Sequence, residues 1–227
     1  MVRHMALTAA LLALAVAGLS ARPHEQHQPP AGQKPDHMRH AFDDPDKYAK
    51  QFDDPARDAW QLPDRVVAAL GLRAGHSVAD LGAGTGYFAM RLARAAGAPS
   101  VYAVDIEPKM VAYLKGRAAK EGLKNVTAVQ ASTDSPNLPA PVDTILVVDT
   151  YHHIANRVEY FRKLRASFKP GGRLAIIDFR KDAPDGPPVE FRFTADEISA
   201  ELAKAGYRLA ASHAFLPRQL FLIYSLQ

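Results

Sequence analysis

The chain has 227 residues, 48% of them apolar and 23% charged, enough to fill one core and too apolar for a wholly disordered chain. Its 28 Lys and Arg against 24 acids leave a net charge of +4 dispersed along the sequence, which excludes a dedicated nucleic-acid surface. The absence of cysteine excludes disulfides, thiolate metal sites, cysteine nucleophiles and a lipidated N-terminal cysteine.

Residues 1–21 read as a signal peptide. Arg3 and His4 form a basic start, 6–17 is an Ala/Leu run, and Ala15-Val16-Ala17 or Leu19-Ser20-Ala21 offers small residues for cleavage. This predicts a periplasmic or secreted protein; the alternatives are a retained anchor, or a cytoplasmic protein if the start lies further downstream. The run is short of the roughly 20 residues a spanning helix needs, so no stable membrane insertion is expected once the signal is removed. Residues 22–40, rich in Pro, Gln and His, read as a flexible linker. Its four histidines, His24, His27, His37 and His40, have ligand chemistry for metals, but no carboxylate or scaffold fixes their geometry, so a solvated linker is expected.

A short duplication follows: Phe42-Asp43-Asp44-Pro45 recurs as Phe52-Asp53-Asp54-Pro55. In each copy an Asp precedes a Pro, a helix-start signal, so 41–61 is expected to form short helices. Phe42, Tyr48, Phe52 and Trp60 give them something to bury, either over the mouth of the following domain or against its side. The domain itself spans 62–227 and opens with a helix over 62–70 that stops at Gly71.

From residue 76 onward strands and helices alternate. Strands are expected at 77–81, 101–105, 126–130, 144–149, 173–178, 208–214 and 220–225, and helices at 87–96, 109–121, 157–168 and 195–205. Strands separated by helices imply an α/β fold: a doubly wound, Rossmann-like seven-stranded sheet, mostly parallel, with helices on both faces. The last two strands are joined by too short a turn for a crossover and must form an antiparallel hairpin.

The sequence from Val78 to Phe88, with Asp80 before Gly82-Ala83-Gly84-Thr85-Gly86, joins a buried strand to a helix through a glycine-rich turn. Such a turn lets main chain approach a ligand that any Cβ would push away. The next strand ends in Asp105, an acid placed to accept bonds from two ribose hydroxyls, with Ile106 beside it to lie against an adenine. Nicotinamide enzymes use the same acid, but Gly82-x-Gly84-x-Gly86 is not the G-x-G-x-x-G that seats a pyrophosphate.

These residues resemble the class I S-adenosylmethionine-dependent methyltransferases, over residues from about 62 to the C-terminus. Asp80 through Gly86 is similar to the family's first motif, which implies that the turn wraps the amino-acid part of S-adenosylmethionine, with Asp80 helping to set the turn and a candidate to reach the methionine ammonium. Asp105 is similar to the ribose-binding acid. Val142 through Val148 resembles the family's fourth-strand motif, and Leu164 through Asp178 its turn and fifth strand. The family often has an Asp after the third strand to hold the adenine amino group; here Ser132 stands in its place. After the fourth strand, Asp149-Thr150-Tyr151-His152-His153 lies by this resemblance beside the donor. Asp149 or Thr150 is then a further cofactor contact, while Tyr151, His152 and His153 are candidates to face the acceptor, with a histidine as base. Helix capping or packing is the other reading of the paired histidines. Asp178, Arg180 and the proline-rich loop 182–188, leading to Phe191 and Phe193, either border an acceptor pocket or form a rigid surface connection.

The resemblance implies direct displacement of a methyl group onto a small-molecule acceptor, with no metal in the site. Two other readings use the same residues: an exported, non-catalytic ligand-binding module, and an NAD-dependent reductase, which binding of NAD(H) in place of S-adenosylmethionine would reveal.

Overall fold

The computed structural model describes residue 42 and residues 44–227; the expected signal peptide and the histidine-bearing linker lie outside the described residues. Seven strands form one sheet: β1 (Ser77–Leu81), β2 (Ser100–Asp105), β3 (Val126–Gln130), β4 (Val142–Val148), β5 (Phe168–Phe179), β6 (Tyr207–His213) and β7 (Gln219–Leu226). Their order is β3-β2-β1-β4-β5-β7-β6. The first five run parallel, and β7 enters antiparallel between β5 and β6.

The helices of the domain are α3 (Pro63–Ala69), α4 (Tyr87–Ala93), α5 (Pro108–Lys120), α6 (Arg157–Leu164) and α7 (Ala195–Lys204). Central strands alternate their side chains between two buried faces, as the pleat requires. Leu146 and Val148 of β4 pack with Val66, Phe88, Leu92 and Leu114 on one face. Ile145 and Val147 pack with Tyr151, Phe161, Leu164, Ile198 and Leu202 on the other. Fully burying each such aliphatic chain stabilises the fold by about 1.5–3 kcal/mol.

Two expected boundaries differ by four residues or more. The helix expected over 157–168 ends at Leu164 and tightens into a 3-10 turn over Arg165–Ser167. Strand β5 starts at Phe168 rather than at 173, because Phe168 pairs with Val142 before a register shift leads to the pair Thr144 and Arg173. The two expected Asp caps are present at the N-terminal helices. Asp44 accepts the Lys47 N–H at 3.2 Å and starts α1 (Pro45–Phe52), and Asp54 accepts the Ala56 N–H at 2.8 Å and starts a 3-10 turn over Pro55–Arg57 that runs into α2 (Asp58–Gln61). These helices lie over the mouth of the domain. The Phe52 ring sits above Gly84, Phe42 meets the His153 ring at 5.5 Å, and Gln61 bonds Asp149. Among the described residues no helix is long and apolar enough to cross a membrane.

Candidate active site

The strand order reverses between β1 and β4, the place where open α/β sheets bind ligands beyond their strand ends. The C-terminal ends of β1, β2, β4 and β5 bring Asp80, Asp105, Asp149 and Asp178 to this one edge.

The turn after β1 is built from main chain. Gly82, Gly84 and Gly86 have φ of 78°, 54° and 95°. The Gly82 and Ala83 N–H groups both donate to Val104 O at 2.9 Å, which holds the turn against the end of β2. A Cβ on Gly82 would lie 2.2 Å from Thr150 Oγ1, so the bare backbone there is required by Thr150. Gly84 is less crowded, its nearest neighbour being the Phe52 ring at 3.3 Å from a Cβ position. Among the described residues the buried Thr85 hydroxyl has no hydrogen-bond partner.

Asp80 is buried beneath the turn, where the Ala89 N–H of α4 bonds it. Loss of solvation pushes its carboxyl up to about 7, with the Asp105 charge adding to the rise and Arg57 and the Ala89 bond opposing it. Asp105 Oδ2 accepts the Gly84 N–H at 2.8 Å and Oδ1 the Glu107 N–H at 3.0 Å. A carboxylate has about four acceptor positions, so Asp105 keeps capacity for two further donors. Burial raises its pKa, with the Glu107 charge adding to the rise and the backbone N–H groups of Glu107, Gly84 and Ile106 opposing it. Next to it Ile106 is 47% exposed, an apolar side chain left open at the strand end.

Ser132 follows β3, and Ala131 N–H donates to Asp105 O at 2.9 Å, keeping the two strand ends level. The Ser132 hydroxyl proton is taken up within its own turn, by Asp134 at 3.0 Å. Its oxygen therefore remains an acceptor, the role expected of it.

Asp149 has φ of 51°, a conformation side-chain-bearing residues rarely adopt and one that costs about 1–3 kcal/mol. Two glutamines hold its carboxylate: Gln61 donates to Oδ2 at 3.0 Å and Gln219 to Oδ1 at 2.5 Å. Gln61 also donates to Gln219 at 3.2 Å. Burial, with the neighbouring Asp178 charge, pushes the Asp149 carboxyl up to about 6 against Arg57 and His152.

The residues after β4 do not act as a group. Tyr151 is fully buried and turned away from the glycine turn; its hydroxyl donates to Glu201 Oε2 at 2.5 Å and its ring stacks on Phe161 at 5.5 Å. The expectation that Tyr151 faces an acceptor is thus corrected: Tyr151 belongs to the core under α6 and α7. His152 is 3% exposed, and its Nδ1 lies 2.9 Å from both oxygens of Asp178. Burial lowers the His152 pKa, but the charge and hydrogen bond of Asp178, helped by Asp149, outweigh it and raise the value overall. His153 is half-buried, with its ring 4.3 Å from that of His152 and against Phe42.

Sequence reading missed Arg57, Gln61 and Gln219, and noted Asp178 without its link to His152. Gln61 reaches Asp149 and Gln219 across 88 and 158 residues, and no local spacing signals such contacts. The clearest local cue was an uncharged polar residue between Trp60 and Leu62.

A family model described as a methyltransferase domain matches residues 72–211. The 27-O-demethylrifamycin SV methyltransferase of Amycolatopsis mediterranei is 33% identical over 122 residues, covering 52% of this chain and 44% of its own. The ubiquinone/menaquinone biosynthesis C-methyltransferase of Pasteurella multocida is 30% identical over 161 residues, covering 66% of this chain and 57% of its own. The chain therefore spans about half the length of the curated relatives it matches. Among solved structures, a SAM dependent methyltransferase from Aquifex aeolicus superposes with a TM-score of 0.74 at 31% identity, covering 81% of this chain and 99% of that one.

Proposed function

Because the chain belongs to the class I S-adenosylmethionine-dependent methyltransferases, we propose that it binds S-adenosylmethionine at the turn Gly82–Gly86 and passes its methyl group to a small organic acceptor. The observation that carries this reading is the main-chain turn whose Gly84 N–H is tied to Asp105 while that carboxylate keeps two acceptor positions. The residues present fit the cofactor. Bare backbone at Gly84, where only the edge of the Phe52 ring stands near, admits closer approach than a side chain would allow, and among the described residues the buried Thr85 hydroxyl has no hydrogen-bond partner. Asp105 takes the two ribose hydroxyls, exposed Ile106 covers one face of the adenine, and Ser132 accepts from its amino group.

S-adenosylmethionine supplies a methyl group already activated by its sulfonium, so the chain's task is to orient the acceptor and exclude water. The half-buried cluster of Phe42, Tyr48, Phe52 and His153, with ring centroids 5.0–5.6 Å apart, borders the approach and favours an acceptor with apolar or aromatic surface. The acceptors implied by the names of the rifamycin and quinone-pathway relatives agree with that chemistry. Of the two histidines, His152 has its Nδ1 fixed by Asp178, which reserves Nε2 for exchange with an acceptor proton.

The test is incubation with methyl-labelled S-adenosylmethionine and fractions of a cell extract. Label appearing in a low-molecular-weight apolar fraction supports the proposal; label confined to protein or nucleic acid, or none at all, refutes it.

A further inference from the structure

Arg57 is a charged residue at the site that lies outside the matched domain. It is held rigidly. Nε and Nη2 donate to Gln61 Oε1 at 2.8 and 2.5 Å, Nη1 donates to the Phe52 carbonyl, and the guanidinium lies over the Tyr87 ring at 4.1 Å. A guanidinium has five N–H groups, so one on Nη1 and one on Nη2 are left over from these bonds. Nη2 stands 3.8 Å from Asp149 Oδ2, beyond hydrogen-bond range but close enough for the charges to attract. Asp149 in turn accepts one hydrogen bond on each oxygen, from Gln61 and Gln219, which leaves each oxygen a lone pair.

Both groups adjoin the glycine turn. Thr150, the neighbour of Asp149, packs on Gly82; Phe52, whose carbonyl Arg57 holds, packs on Gly84; and Tyr87, under Arg57, begins α4 directly after Gly86. A fixed cation and a fixed anion thus stand side by side at this end of the site, each with hydrogen-bonding capacity to spare. The amino-acid end of the donor carries the complementary pair, a carboxylate and an ammonium.

We propose that Arg57 binds the carboxylate, and Asp149 the ammonium, of the donor's amino-acid end, so that the N-terminal helices form a wall of the donor site. This assignment rests on the donor site proposed above. Because Arg57 is already pinned by the chain, little side-chain freedom is lost when the ligand arrives.

Calorimetric titration with S-adenosylhomocysteine and with 5′-methylthioadenosine tests it, since the second compound keeps the nucleoside and thioether but lacks the amino-acid end. Arg57→Ala is expected to weaken S-adenosylhomocysteine binding by about 10- to 100-fold, the range for a lost charged hydrogen bond, and to leave methylthioadenosine binding unchanged. Arg57→Lys, which retains the charge and serves if the alanine variant does not fold, should give a smaller loss confined to S-adenosylhomocysteine. An equal loss for both compounds would show that Arg57 only supports the helices, and no loss for either would remove it from the site. Wild-type protein that binds neither compound overturns the donor site and this assignment together.

Discussion

The Gly84 N–H donates to Asp105 Oδ2 at 2.8 Å, so the carboxylate that ends β2 also shapes the glycine turn after β1. The Glu107 N–H on Oδ1 fixes its second oxygen, which means that the side chain is preorganised before any ligand binds. Replacing Asp105 with Asn trades one acceptor oxygen for an NH2 group that faces a backbone N–H. We expect Asp105→Asn to lower the unfolding free energy by about 1–3 kcal/mol, measured in urea, because a buried donor loses its acceptor.

The glycines should not be equally sensitive. At Gly82 a Cβ would stand 2.2 Å from Thr150 Oγ1 and 2.8 Å from Thr150 Cβ, whereas at Gly84 it meets only a ring edge at 3.3 Å. Both positions add about 1–2 kcal/mol of left-handed backbone strain on gaining a side chain. Gly82→Ala is therefore expected to lower the thermal midpoint markedly more than Gly84→Ala. The reverse order would mean that Thr150 does not pack as described.

The buried pair His152 and Asp178 gives a pH signature. Asp178→Asn removes the charge that raises the His152 pKa, so His152 loses its proton at lower pH in the variant. If His152 takes the acceptor proton, the acid limb of kcat/KM moves to lower pH in Asp178→Asn and disappears in His152→Ala. A limb left in place by both variants assigns the proton to another group.

Stability itself should fall as pH rises from 6 to 8. Asp80 and Asp149 hold their protons up to about 7 and about 6 in the folded state, against 3.8 as the ordinary value. The folded state thus binds more protons than the unfolded one in this window, and the stability present at low pH is lost as these groups ionise. His152, raised above 6.5, has the same sign: its contribution is complete below 6.5 and is lost as pH rises through its folded value. Carboxylates that are held low, such as Glu201 and Asp143, titrate beneath the window and do not oppose the trend within it. Urea midpoints at pH 6, 7 and 8 check this, and a midpoint that rises with pH contradicts it.

Tyr151→Phe should cost about 1–2 kcal/mol of stability through the lost bond to Glu201 and leave donor binding unchanged. A changed Kd for S-adenosylhomocysteine in this variant would return Tyr151 to the site.

Much of this molecule can be read from its residues because the central strands of the sheet are buried on both faces, as in Val142 through Val148, and are punctuated by Gly and Asp. The glycine turn and Asp105 are adjacent in the fold for the same reason that they are legible: one helix links two neighbouring parallel strands. Tyr151 misleads because it is next to His152 in sequence, yet successive residues of a 3-10 turn point about 120° apart, one into the core and one toward Asp178. The start of β5 misleads because Lys169-Pro170-Gly171-Gly172 has turn chemistry, while Phe168 is held by its partner on another strand. Arg57, Gln61 and Gln219 converge on Asp149 only through tertiary packing.

The central claim is that Asp105 and the turn beside it form a nucleoside-thioether site. Equilibrium titration of S-adenosylhomocysteine and of NADH into wild type and Asp105→Ala tests it most directly. The account predicts micromolar binding of the first ligand alone to wild type, and its loss in a variant that still shows native circular dichroism. Binding of S-adenosylhomocysteine that survives the substitution undiminished, or a preference for NADH, would contradict it.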